Sequence, residues 1–280
     1  MSPFQKINGR KALCVVSLLL VMPSVLGRPK LAHASDTMNR TAEVICKNWP
    51  MPSSYVIVSV RFSQSCSGLA QNIEYTVSPP SDGMVVCNNF SIPSPYVITS
   101  LASSSKCNGL FDEGVIRHVA DGISICGDGI SPVPDGYIVT TASKHDAVTC
   151  HGTEIYRLSV ATNGASMCSF SSRPPGFVVS YVAHSTQCLK FNAHVLLSVI
   201  EGVMGCSFSR LPDGYVVTAA TQTQNCIDGD LRGDYWTFNQ PYEGINVCPF
   251  SPIPSGYYLM GTVTKTNCYG ASFGYLLKRP

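Results

Sequence analysis

Charge is scarce in this chain. Asp, Glu, Lys and Arg make up only 13% of its 280 residues, and beyond residue 34 no cluster of basic residues occurs. That composition excludes the electrostatic footprint of a nucleic-acid binder or of a protein held on anionic membrane. Long apolar runs are also missing beyond residue 34, where nothing approaches the roughly 20 residues that span a bilayer. There is no Gly-x-Ser-x-Gly elbow, no His-Glu-x-x-His pair and no phosphate-binding P-loop. The 13 cysteines form no short Cys-x-x-Cys and no zinc-type Cys/His set, which argues against structural zinc. No cofactor and no catalytic residue is assigned on this basis.

What is present begins with a leader. Lys6, Arg10 and Lys11 precede the apolar "ALCVVSLLLVM" (12–22), and "AHA" (32–34) fits a small-x-small cleavage site. Residues 1–34 therefore read as a secretory signal peptide and 35–41 as a flexible N-terminus. The expected location is extracellular or periplasmic, with no transmembrane segment in the mature chain. Cleavage removes five basic residues (Lys6, Arg10, Lys11, Arg28, Lys30) and no acidic one, taking the formal net charge from +2 to −3. It also removes Cys14 and leaves 12 cysteines, an even number. Asn39 and Asn89 stand in Asn-x-Ser/Thr sequons, which bear on a eukaryotic source only.

The remaining cysteines expose an internal repeat. They fall into the pairs Cys46/Cys66, Cys87/Cys107, Cys126/Cys150, Cys168/Cys188, Cys206/Cys226 and Cys248/Cys268. Five pairs are separated by 20 residues and the third by 24. Between paired cysteines comes a proline (Pro52, Pro93, Pro134, Pro174, Pro212, Pro254). An aromatic follows it (Tyr55, Tyr96, Tyr137, Phe177, Tyr215, Tyr257) and opens a β-branched run. Pro and Gly before such a run mark a turn feeding a strand. The repeats lie near 42–82, 83–121, 122–163, 164–201, 202–243 and 244–280.

A second turn separates the repeats at Asp82-Gly83, Asp121-Gly122, Asn163-Gly164, Glu201-Gly202 and Glu243-Gly244. Asp-Gly or Asn-Gly between strand-like runs is a strong hairpin signal. It predicts that the strand closing each repeat pairs with the strand opening the next. An even strand count then calls for a fourth short strand before each second cysteine. That reversal favours disulfides within repeats. A straight strand would carry the paired cysteines about 35–40 Å apart, against the roughly 7 Å between Cα atoms that a disulfide tolerates. The rival scheme joins Cys66 to Cys87 and so on, closing Cys46 onto Cys268.

Six all-β units of this size suit a closed six-bladed propeller-like ring, with residues 42–46 pairing with 273–277. A β-solenoid and two tandem trefoil-like barrels share the same repeats.

Functional signals lie where the copies differ. In "CIDGDLRGDYW", Asp228, Asp230 and Asp234 carry oxygens of the type calcium takes, without the spacing of an EF-hand loop. Tyr235 and Trp236 are candidates for stacking on a sugar, against packing roles in a strand. "KHDAVTCH" gathers His145, Asp146 and His151 beside Cys150. The six motif aromatics read either as packing residues or as a comb for a multivalent ligand. Six similar units favour a secreted binding protein whose weak sites add through avidity, with glycans or a cell-surface protein as partners. An adhesin-like structural or protein-interaction module of the cell envelope is the alternative. A secreted hydrolase working at the centre of a ring comes last.

Overall fold

A computed structural model describes residues 42–47, 49–66, 72–88, 91–109, 112–144, 148–264 and 267–280. The expected signal peptide, the 35–41 stretch, Asn39, Asn89, His145 and Asp146 lie outside the described residues. Those residues form an all-β fold of six three-stranded antiparallel sheets, one per repeat. None of their helices is long and apolar enough to cross a membrane.

The first sheet contains β1 (Glu43–Cys46), β2 (Val56–Phe62) and β3 (Ile73–Ser78); the second β4 (Val85–Cys87), β5 (Tyr96–Ala102) and β6 (Glu113–His118). The third holds β7 (Ser124–Cys126), β8 (Tyr137–Ser143) and β9 (Ile155–Val160); the fourth β10 (Ser166–Cys168), β11 (Phe177–Ala183) and β12 (Ala193–Ser198). The fifth holds β13 (Val203–Cys206), β14 (Val216–Asp228) and β15 (Leu231–Asn239); the sixth β16 (Asn246–Val247), β17 (Tyr258–Thr264) and β18 (Phe273–Lys278). In every sheet the closing strand lies at the centre, with the opening strand on one side and the middle strand on the other.

All six disulfides join cysteines within a repeat. Cys46 is bonded to Cys66, Cys87 to Cys107, Cys126 to Cys150, Cys168 to Cys188, Cys206 to Cys226 and Cys248 to Cys268. Their Cα–Cα distances are 5.3 to 5.7 Å. Three other expectations fail. The closing strand does not pair with the opening strand of the next repeat. β3 pairs with β1, and β4 with β6. The reason lies in the Asp-Gly turns. Their glycines have φ of 73° to 85°, but the preceding Asp, Asn or Glu does not have positive φ. A type I′ hairpin turn needs positive φ at both positions, whereas a type II turn needs it only at the second and splays its flanking strands. The turn therefore starts a new sheet and docks onto that sheet's centre. Gly83 N–H donates to Ile116 O (2.9 Å), and Asp82 Oδ1 accepts His118 N–H (2.8 Å). Gly164 N–H and Asn163 Oδ1 do the same with Leu196 O and Ser198 N–H.

The fourth strand is also absent among the described residues, and the expectation at Cys188 and Cys268 needs correction most plainly. Instead of ending a strand of their own sheets, Cys188 and Cys268 form isolated parallel bridges to Ala142 and Ala220 of the preceding repeats. The segment before the second cysteine thus reaches back to its neighbour. Val60, Leu101, Ala142 and Ala220 donate N–H to the carbonyls of Lys106, Thr149, Gln187 and Asn267 at 2.7 to 2.9 Å. Every middle strand is an edge of its sheet, which leaves outward-facing N–H groups for the next repeat, and each carries a bulge that shifts its register. Just before the bulge, Ile98, Val139, Val179 and Val217 donate N–H to the buried hydroxyls of Ser131, Ser171, Ser209 and Ser251 in the next repeat.

Nor do the sheets close into a propeller or barrel among the described residues. β1 is paired with β3, and β18 lies between β16 and β17, so the strands expected to seal a ring have partners at home. The cores explain why repeats still hold together in series. Each cystine from the second repeat onward packs into the apolar core of the repeat before it. Cys87–Cys107 lies with Ile57 and Val77, Cys168–Cys188 with Val139 and Leu158, and Cys206–Cys226 with Val179 and Leu196. A disulfide that staples one repeat thus fills the neighbouring one. Six disulfides fit an oxidising compartment outside the cytoplasm.

Candidate functional site: a groove between repeats 4 and 5

The turn before each middle strand fixes the motif aromatic. Tyr137 N–H closes the turn onto Pro134 O (3.1 Å) and Tyr215 N–H onto Pro212 O (3.1 Å), with Gly136 and Gly214 at φ near 80°. All six motif aromatics end up half-buried. Equivalent turns of consecutive repeats lie side by side and leave grooves between them.

The groove between repeats 4 and 5 has a volume of about 410 Å³. Its floor carries the aromatics Phe177 and Tyr215 with the motif prolines Pro174 and Pro212. Arg173 and Arg210 line it as well. Burial first, and then the positive charge of Arg210, push the Arg173 guanidinium below its ordinary value. Arginine keeps its proton regardless, so the shift records a cation held in an unfavourable place. Neither arginine forms a salt bridge among the described residues. Asp213, at the exposed turn, is the one carboxylate in the lining. A second groove of about 350 Å³ shares Arg210, Pro212 and Tyr215 and continues toward Pro252 and Pro254 of repeat 6.

The residues singled out from the sequence take other places. Asp228 sits at the end of the long hairpin strand β14 and reaches back to repeat 4. Its Oδ1 accepts Asn192 Nδ2–H (2.8 Å), and its Oδ2 meets His194 Nε2 (2.8 Å). His194 is buried, its ring 5.5 Å from that of Phe208. Burial lowers its pKa, the Asp228 contact raises it in part, and the Arg173 charge lowers it again. Asp230 is exposed at the hairpin tip, and Asp234 exchanges hydrogen bonds with Ser207 through its backbone N–H (2.9 Å) and carbonyl (2.8 Å). No three acidic, His or Cys side chains converge to hold a metal among the described residues. Tyr235 packs beside the Cys206–Cys226 core, where burial raises its pKa. Trp236 stacks on Phe250 of repeat 6, ring centroids 5.1 Å apart. His151 approaches Asp112 of repeat 2 at 3.4 Å.

Arg173 and Arg210 are not among the residues expected from the sequence. Their signal is nevertheless there. Arg173 directly precedes its motif proline, where the other repeats have Met51, Ile92, Val133, Leu211 and Ile253. Arg210 stands where they have Pro50, Ser91, Pro132, Ser172 and Pro252.

Fold and groove together define an all-β, disulfide-stapled repeat protein with ligand-sized clefts at its repeat junctions. No known protein family, no curated protein and no solved structure matches the chain.

Proposed function

We propose that this is a secreted glycan-binding protein, and that the groove between repeats 4 and 5 takes an acidic saccharide. The supporting observation is the pairing of two arginines that lack salt-bridge partners with two half-buried aromatic rings in one cleft. Guanidinium groups bind carboxylate or sulfate through parallel, charge-assisted hydrogen bonds. Phe177 and Tyr215 offer apolar faces to the C–H side of a sugar ring, and Tyr215 adds a polar edge. A concave, mostly apolar site with a few placed polar groups is the usual design of a small-ligand pocket. The adjoining groove over Arg210 and Tyr215 extends the path toward repeat 6, which suits a chain of sugars rather than a single residue. Binding needs no metal and no covalent step.

Uronic-acid-containing, sialylated and sulfated oligosaccharides should bind in a glycan array, and their uncharged counterparts should bind weakly. Exchanging Arg210 for Ser, the residue at the same place in repeats 2 and 4, should weaken every acidic hit. An array without acidic hits, or with acidic and neutral sugars bound alike, overturns the reading.

A further inference from the structure

We propose that the protein associates head to tail, the first repeat of one copy covering the exposed middle strand β17 at the end of another. The five internal junctions show what such a strand requires. The two residues after the motif aromatic are Val56 and Ile57, Val97 and Ile98, Ile138 and Val139, Val178 and Val179, and Val216 and Val217. All ten are 0 to 1% exposed, each pair covered by the following repeat. In repeat 6 the same two positions are Tyr258, 44% exposed, and Leu259, 37% exposed. Met260, the bulge residue beside them, is 55% exposed. β17 is an edge strand of its sheet, seven residues long and free of charge. Exposed edge strands are usually blunted by charge or proline. β17 has neither protection.

The core of repeat 6 is open in a matching way. The cores of repeats 1 to 5 each contain the cystine of the next repeat. The sixth consists of Val216, Ile245, Val247 and Leu277 and has no cystine. One cystine, Cys46–Cys66, belongs to none of the six cores among the described residues. Cys46, in Cys46–Cys66, is 9% exposed, whereas the other eleven bonded cysteines are 2% exposed or less.

The two ends also correspond position by position. Thr262 occupies the place of the residues that donate N–H to a backbone carbonyl across internal junctions, such as Leu101 and Ala220. Ser65, directly before Cys66, occupies the place of the accepting carbonyls of Lys106, Thr149, Gln187 and Asn267. Trp49, 58% exposed, stands in the sequence position of the junction serines Ser171, Ser209 and Ser251 and offers apolar area where they offer a hydroxyl. The occupant of the tail is therefore the head of a second copy, through a sixth version of an interface already made five times. Such a contact joins two different faces, so it adds copies in series rather than stopping at a symmetric dimer.

Sedimentation of the disulfide-intact protein across a concentration series tests this. Wild type should form species larger than a monomer, growing with concentration. Leu259→Glu at the tail and Trp49→Glu at the head should each remain monomeric, with wild-type circular dichroism and no free thiol. A mixture of the two variants should recover a dimer and nothing longer, because one intact head and one intact tail remain. Should either variant fail to fold, Met260→Lys and Trp49→Lys test the same two faces from exposed positions. A wild type that stays monomeric throughout overturns the proposal. So does self-association that survives in the head variant alone, which would mean a tail-to-tail contact, or a mixture that stays monomeric.

Discussion

The groove between repeats 2 and 3 is larger than the one between repeats 4 and 5, about 600 Å³ against about 410 Å³, yet it offers less to a ligand. Its lining among the described residues is Asn88, Ser91, Ile92, Asp128, Gly129, Ile130, Ser131 and Pro132, and none of these is an aromatic or a cation. Its one carboxylate is occupied, since Asp128 Oδ2 accepts Glu154 N–H (3.1 Å). The smaller groove keeps two cations without salt-bridge partners beside two rings. Size does not mark the better site; unsatisfied charge next to apolar surface does.

The junction behind the smaller groove is also built differently. Gly205 stands directly before its cysteine, where the other repeats have Ile45, Val86, Ile125, Met167 and Val247. A Cβ there would come within 3.0 Å of Val178 Cβ and of Val179 O, so repeats 4 and 5 approach as closely as backbone allows. The Asp228 contacts to Asn192 and His194 brace the same junction from the hairpin end.

Breaking the bracing should have the largest effect. Replacing both Cys206 and Cys226 by Ala removes a 20-residue cross-link and should cost about 3 kcal/mol in urea unfolding. Acidic-sugar binding should weaken even where the protein remains folded. Gly205→Ala should cost about 1–3 kcal/mol by overpacking, and Ser209→Ala about 1–3 kcal/mol by leaving the buried Val179 N–H unpaired. Ser91→Ala, exposed in the larger groove, should stay within about 0.5 kcal/mol. Arg173→Leu, which restores the apolar residue of the other repeats and removes a half-buried cation repelled by Arg210, should not lower stability in urea unfolding. Its acidic-sugar affinity should fall about tenfold, the equivalent of one charge-assisted contact of about 1.4 kcal/mol.

The smallest effect concerns pH. The fold favours neutral His194, whose pKa lies below its ordinary 6.5. As pH falls through 6.5 the unfolded chain takes up that proton first, so the contribution is present above 6.5 and lost below it. Thermal midpoints of wild type should decline over that interval, and those of His194→Gln should decline less.

Much of the fold is legible because it is written six times. Cysteine spacing alone favours the correct disulfides, and a proline three residues before an aromatic marks every middle strand. Strand order is not legible, because Asp-Gly is compatible with turns that fold a strand back and with turns that send it onward. The choice rests on backbone angles and on the Asp82-type side-chain contact with a strand about 35 residues ahead. Cys188 shows the same limit at the other end of the repeat. Its bond to Cys168 follows from spacing, but its bridge to Ala142 depends on how two repeats dock. Ring closure fails for a related reason. Strands 42–46 and 273–277 lack partners only when the closing strands are assigned to the wrong neighbours. At the site, Asp228 stands out by local density of charge, and the fold spends that density on a junction. Arg173 is visible only against its five apolar counterparts, and Arg210 only against its proline and serine counterparts. Nothing in sequence alone brings the two into one cleft.

Acidic-sugar recognition in the 4/5 groove, as proposed, depends on Arg173 and Arg210. The most direct measurement is calorimetric titration of wild type and Arg173→Leu with a uronic-acid oligosaccharide and with its carboxyl-reduced form. Wild type should bind the acidic form at least about tenfold more tightly than the reduced one, and Arg173→Leu should lose that preference. Equal affinity of wild type for both forms, or a preference untouched by Arg173→Leu, would contradict the account.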